Sequence, residues 1–170
     1  MTMQYDVKTA KIQGSGLMFS GRVRLKQGTV IGNGTAGYID FFDSVVAPTA
    51  ATYGRSGTTV TVTSTAHGLS TGNIVGIAYI AASGTAPVSG NYVITKTGAD
   101  TFTITDLNSG TIAGGTVCNY VANGSAWLMG INTGTNLQPF QLLIPGEGIL
   151  CKNGVYANSS NITSTQITYG

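Results

Sequence analysis

Thr58-Thr59-Val60-Thr61-Val62-Thr63 sets valine and threonine on opposite faces of one extended segment, because side chains alternate with a period of two in β structure. Both residue types are β-branched and suit a pleated, half-buried surface. Upstream, Arg22-Val23-Arg24-Leu25-Lys26 repeats the pattern, with Val23 and Leu25 on one face and Arg22, Arg24 and Lys26 on the other. Tyr38 to Phe42 repeats it again after a Gly-Asn-Gly-Thr-Ala-Gly turn region, and the spacing predicts that these first two strands pair as neighbours. Downstream, strands are expected near Ile74 to Ile80, Tyr92 to Thr95, Thr101 to Thr105 and Thr116 to Val121, each bounded by Gly, Asn or Asp. Helix formers are scarce throughout, so the chain reads as all-β.

The texture of the sequence changes twice. Ala47 to Ala51, with Pro48, is the first boundary, and Ala122 to Ser125 is the second. Beyond it lie five further strand candidates: Trp127 to Ile131, Phe140 to Ile144, Gly148 to Leu150, Val155 to Ala157 and Thr165 to Tyr169. Residues 21–46 alone supply too few strands to bury a face. Together with 123–170 they make a discontinuous outer domain, expected to be a β-sandwich or small barrel. Residues 47–122 then read as an inserted small β-barrel domain placed at a hairpin tip. Residues 1–20, with alternating Tyr5 and Val7 and a Gly-Ser-Gly break, read as an N-terminal arm or an edge strand.

Composition excludes several classes of function. The chain has 170 residues, of which 42% are hydrophobic and only 8% charged, against about 25% charged in an ordinary soluble domain. A net charge of +2 without a basic run lacks the footprint of nucleic-acid or anionic-membrane binding. No apolar run approaches the ~20 residues of a membrane helix and no leader pattern opens the chain, so a soluble, unexported protein is expected. Without that route, the Asn-x-Ser/Thr triplets at Asn33, Asn123, Asn158 and Asn161 read as accidental.

Catalytic chemistry is sparse. Cys118 and Cys151 are two isolated thiols, read as small buried hydrophobes. A Cys118 nucleophile with His67 as base lacks an orienting third group. Asp40 and Asp43, three apart, would face opposite sides of a strand. With one histidine, no metal or cofactor site is expected, and the chain reads as a non-enzyme. Trp127, Phe41, Phe42 and Phe140 are expected in the outer core. Tyr53, Tyr79, Tyr92 and Tyr120 are either half-buried strand residues or a sugar-stacking platform.

Two resemblances accompany these patterns. His67-Gly68-Leu69, Gly72, Val75, Gly90-Asn91-Tyr92-Val93, Thr101-Phe102-Thr103-Ile104 and Asp106 resemble a small β-barrel module recurrent in phage virion proteins. A similar pattern occurs in the first catalytic cysteine half-domain of ubiquitin-activating enzymes, and in both settings the module is a structural insert. Arg22 to Lys26, Gly34 to Gly37, Phe41-Phe42-Asp43, Ile144-Pro145-Gly146-Glu147-Gly148-Ile149 and the Thr165 to Gly170 end resemble small all-β virion proteins of tailed phages. The resemblance implies a capsid decoration (cement) protein that assembles in the host cytoplasm, resides in the virion and bridges subunits of the major capsid protein or other virion proteins. By analogy it is a homo-oligomer, a trimer. A tail, neck or fibre-base component is the alternative, and a carbohydrate-binding adhesin with the insert as its head is a second. Arg22, Arg24, Lys26 and Glu147 are the candidate subunit-interface residues, the first three as one basic strand face and the last as a turn carboxylate.

Overall fold

The computed structural model describes residues 8–80, 84–122, 124 and 126–170. The start of the expected arm, with Tyr5 and Val7, and Asn123 and Ser125 of the Asn123 triplet lie outside the described residues. The described chain is all-β, with antiparallel sheets of which none closes into a barrel. None of its segments is a helix long and apolar enough to cross a membrane. The chain divides into two compact units, one of Met1–Ala47 with Leu128–Gly170 and one of Pro48–Trp127.

The first unit has two sheets. The first sheet holds β1 (Lys8–Ile12), β3 (Val23–Gly32), β11 (Phe140–Leu143), β12 (Ile149–Cys151) and β14 (Ile162–Tyr169), in the order β1-β14-β3-β11 with β12 also on β3. The second holds β2 (Gly16–Ser20), β4 (Gly37–Phe42), β10 (Trp127–Gly134) and β13 (Gly154–Ser160), in the order β10-β4-β13-β2. Val23, Leu25, Val30 and Ile167 from the first sheet and Ile39, Phe41, Val155 and Ala157 from the second share one buried cluster, the core of a sandwich. Each of these Val, Leu, Ile and Phe side chains contributes about 1.5–3 kcal/mol on burial.

The expected hairpin between the first two strands does not form. β3 pairs with β14 and β4 pairs with β13, so residues 32–37 carry the chain from one sheet to the other. The β13–β14 junction at Asn161 crosses beside it: the Asn33 amide donates to the Asn161 carbonyl at 3.2 Å, and Asn161 Nδ2 donates to the Ala36 carbonyl at 2.8 Å. Asn161 has φ 57°, a left-handed conformation that asparagine tolerates. The result is a two-stranded ribbon folded across its middle, which a period-2 pattern cannot distinguish from a hairpin.

Residues 8–20 form edge strands, the second of the two expectations for this segment, rather than a free arm. β1 pairs with β14 and β2 with β13, each at the edge of its sheet. Met18 is buried, and Ala10, Ile12 and Phe19 pack on the core, so leaving this segment detached would expose apolar surface. Phe41 and Phe42 are fully buried as expected, whereas Phe140 is 45% exposed because β11 is itself an edge.

The second unit is one sheet of β5 (Thr49–Thr63), β6 (Ile74–Tyr79), β7 (Gly90–Val93), β8 (Thr95–Lys96) and β9 (Thr101–Ala122), ordered β5-β9-β6-β7 with β8 on β9. The two strands expected at Thr101 to Thr105 and Thr116 to Val121 are one long strand, and the expected boundary at Ala47 to Ala51 already contains the start of β5. The intervening glycines act as bulges rather than turns. The β5–β9 register shifts between Tyr53 and Arg55 and between Gly57 and Thr59. At the first shift a Cβ on Gly54 would lie 3.0 Å from Gly114 Cα, so the close approach of the two backbones there uses the missing side chain of Gly54. Trp127 falls within this unit rather than the outer core: its amide donates to Asn91 Oδ1 at 2.9 Å and its carbonyl accepts from Asn91 Nδ2 at 3.0 Å.

Candidate functional site

On β3 the alternation expected from the sequence holds: Val23 and Leu25 are buried while Arg24 and Lys26 are partly exposed, and Arg22 just before the strand is exposed. β12 lies alongside, with Leu150 opposite Arg24. The Pro145–Gly148 turn that leads into β12 is thereby brought to the basic strand. Arg24 Nη1 donates to the Glu147 backbone carbonyl at 3.5 Å, and the Glu147 side chain is exposed. The four candidate interface residues therefore lie together along the β3–β12 part of the first sheet. Arg22, Arg24 and Leu150 line a shallow cleft there with Val23 and Gly170.

Asp40 and Asp43 separate by role. Asp40 is buried within β4, whereas Asp43 follows the strand and accepts the amides of Lys152 at 2.8 Å, Asn153 at 2.7 Å and Gly154 at 3.1 Å. One carboxylate thus fixes the β12–β13 turn through three charge-assisted hydrogen bonds.

The second unit contains a buried ion pair that the composition alone did not mark. Arg55 Nη2 meets Asp106 Oδ2 at 2.8 Å, with side-chain exposures of 0% and 1%. Arg55 also donates to the carbonyls of Gly57 at 3.0 Å, Thr85 at 2.8 Å and Asn108. Asp106 accepts the amides of Leu107 at 2.8 Å and Val88 at 3.4 Å. The signal was in the alternation: Ala51 and Tyr53 point inward four and two residues before Arg55, and Phe102 and Ile104 do so four and two residues before Asp106. A cation and an anion continuing two inward series on strands that pair is a pattern for a buried salt bridge.

The other chemistry-bearing residues are also engaged. His67 Nδ1 accepts the Leu69 amide at 3.0 Å and Nε2 lies 3.3 Å from the Thr101 carbonyl, while its ring sits edge-on to Phe102 at 5.3 Å. Cys118 is fully buried, and burial pushes its thiol pKa up to about 12, away from the thiolate that nucleophilic attack requires. Burial, with the Asp43 charge, pushes Cys151 up to about 11. Among the described residues no three His, Cys, Asp or Glu side chains converge as a metal site would need.

Three of the four tyrosines considered as a sugar platform lie in the core. Tyr53, Tyr79 and Tyr120 are 1%, 9% and 3% exposed, so their faces are not available for stacking on a sugar. Tyr53 donates to the Ile80 carbonyl at 3.1 Å, and Tyr120 shares a 3.0 Å hydrogen bond with Ser64. The partly buried Tyr92 donates to the Val88 carbonyl.

No protein-family model matches the chain, and no curated protein matches it.

Proposed function

We propose that this chain is a non-enzymatic structural protein of a tailed-phage virion, a capsid decoration protein that bridges subunits of the major capsid protein and acts as a small oligomer, a trimer. The observation that carries the reading is the structural engagement of its reactive groups. Asp43 holds a turn, Arg55 and Asp106 hold each other, the nitrogens of His67 face backbone groups and Cys118 is a core thiol. What remains at the surface is sheet face and sheet edge, the materials of adhesion rather than of catalysis. The resemblance of the Phe41 to Asp43 and Ile144 to Ile149 segments to small virion proteins supplies the setting, and the trimer rests on that analogy alone.

In this reading the first unit seats on the shell through the Arg22, Arg24, Lys26 and Glu147 region, and contacts repeated over several copies make detachment cost more than any one contact. Nucleic acid and membrane play no part. The adhesin alternative loses its aromatic platform to the core, whereas a tail or neck position uses the same surfaces and is separated by experiment. Light scattering of the purified protein, followed by mixing with capsids that lack it, is the test. A trimer that coats expanded heads stoichiometrically is expected, and a ring-sized oligomer or a species that ignores heads overturns the capsid assignment.

A further inference from the structure

Charge in the first unit is segregated by sheet. The strands of the first sheet carry Lys8, Lys11, Arg24 and Lys26 and no carboxylate, while those of the second carry Asp40 and no Lys or Arg. The sequence hides this, because Lys11 belongs to a segment that reads as an arm and only the pairing of β1 with β14 brings it into the sheet of Arg24. On the face turned away from the core, cross-strand register aligns Lys11, Gln166, Thr29 and Gln141 in one row and Thr9, Thr168, Gln27 and Leu143 in the next. Arg24 and Leu150 extend the same face. Lys11, Gln141 and Gln166 are exposed, Leu143 is 73% exposed, and Thr29 and Gln27 are partly so.

We infer that this outer face of the first sheet is the docking surface, and that its partner is a protein surface rich in Asp and Glu. The inference rests on the decoration reading and names the partner's chemistry. Charge complementarity carries it: Lys11 and Arg24 stand on a face whose strands hold no anion, and the exposed Glu147 carboxylate stays at its rim in the turn before β12, so an acidic surface meets net attraction across the sheet. Between the cations stand neutral amides and hydroxyls, which pair with the mixed donors and acceptors of a protein. A nucleic acid would call for a denser cationic stripe or aromatic stacking platforms. Four strands about 4.8 Å apart and five residues about 3.3 Å apart give a footprint on the order of 300 Å². A stand-alone interface needs roughly 800 Å² per partner, so one copy binds weakly and several linked copies bind firmly.

The test has two arms. In the first, ¹⁵N-labelled protein is titrated by NMR with poly-L-glutamate and, separately, with a short DNA duplex at low and high salt. Expected are shifts confined to β1, β3, β11 and β14 with poly-L-glutamate that vanish at high salt, and at least a tenfold weaker response, to order of magnitude, in Lys11→Glu/Arg24→Glu. Lys11→Glu/Gln141→Glu leaves the Arg24–Glu147 bond in place and should weaken binding likewise. Shifts on the second sheet, no shifts at all, or tighter binding of DNA overturn the inference. In the second arm the same proteins are mixed with undecorated shells. Equal coating by wild type and both variants overturns the docking face but keeps the function. A wild type that binds poly-L-glutamate through this face yet ignores shells keeps the face and overturns the capsid assignment.

Discussion

Replacing Arg55 by Met should destabilise the Pro48–Trp127 unit more than any surface change in the chain. The substitution removes a guanidinium that contacts Asp106 Oδ2 at 2.8 Å and donates to three backbone carbonyls, yet leaves the Asp106 carboxylate 1% exposed without its counter-charge. Breaking a buried pair from one side costs about 3–5 kcal/mol, because the orphaned charge keeps its desolvation penalty. Against a stability of about 5–15 kcal/mol, and with about 4–8 °C of Tm per kcal/mol in a small domain, the unit should melt at least about 12 °C lower. The double variant Arg55→Met/Asp106→Leu removes both charges and should recover part of the loss, while the Gly57, Thr85 and Asn108 carbonyls still lack their donor. Hydrogen exchange read by mass spectrometry is the assay, since a two-unit chain has no single unfolding free energy. Amides of β5 and β9 should lose protection while those of β3 and β14 keep theirs. A loss under about 1 kcal/mol in the single variant, or a double variant as unstable as the sum of both singles, would refute the pair's role as a mutually compensated buried charge.

Asp43→Ala should speed exchange at the amides of Lys152, Asn153 and Gly154 and lower the stability of the first unit by roughly 1.5–3 kcal/mol, with Asn restoring only part. Unchanged exchange there would remove the turn-holding role. Tyr79→Phe should leave stability unchanged or raise it, because the Tyr79 hydroxyl is buried and has no hydrogen-bond partner among the described residues, whereas Tyr120→Phe should lower it by about 1 kcal/mol through the lost bond to Ser64. Equal effects in urea unfolding would contradict that contrast. Burial raises the Cys118 thiol from 9.0 to about 12, so the folded state holds its proton more tightly; that contribution is complete below about pH 9 and declines as pH rises toward 12. Cys118→Val should flatten this alkaline slope only in part, since burial raises Tyr79 as well, and an unaltered slope counts against the assignment. Thr49 pairs directly with Tyr120, so the chain enters and leaves the inserted unit on neighbouring strands, about 5 Å apart at that pair as in any antiparallel ladder. Replacing residues 48–127 by a short Gly-Ser bridge should therefore leave the sandwich amides protected, and a molten product would show that the units depend on each other.

Local pattern carried the strands well but not their partners. β3, β4, β6 and the five C-terminal strands were legible because each shows alternation or a short apolar run between turn residues. The pairing of β3 with β14 was not, since it joins residues more than a hundred positions apart and no local feature encodes it. Glycine was the main source of misreading. In β5 and β9 it permits register shifts and close backbone approach within continuous strands, and a one-dimensional reading takes the same residue for a chain reversal. The interface candidates Arg22, Arg24 and Lys26 were visible as a polar strand face, but Lys11, Gln141 and Gln166 join them only once the sheet is assembled.

The few charges of this chain follow a rule that explains both halves of that outcome. In a chain with only 8% charged residues, an ionisable side chain that is not solvated must be neutralised where it lies. The second unit does so internally: Arg55 and Asp106 cancel in its interior, and Lys96 and Asp100 balance outside, leaving a neutral body. In the first unit Asp40 is buried on the second sheet, Asp43 is bound to three amides and Glu147 lies in the turn before β12, so among the described residues no carboxylate lies on the strands that carry Lys11, Arg24 and Lys26. The strand cations Lys11 and Arg24 share one sheet face, where they favour an acidic partner and disfavour a second copy approaching through the same face. In the proposed oligomer, contacts between copies would then use other surfaces, of which the edge strand β2 and the exposed Leu17 on it are free of charge.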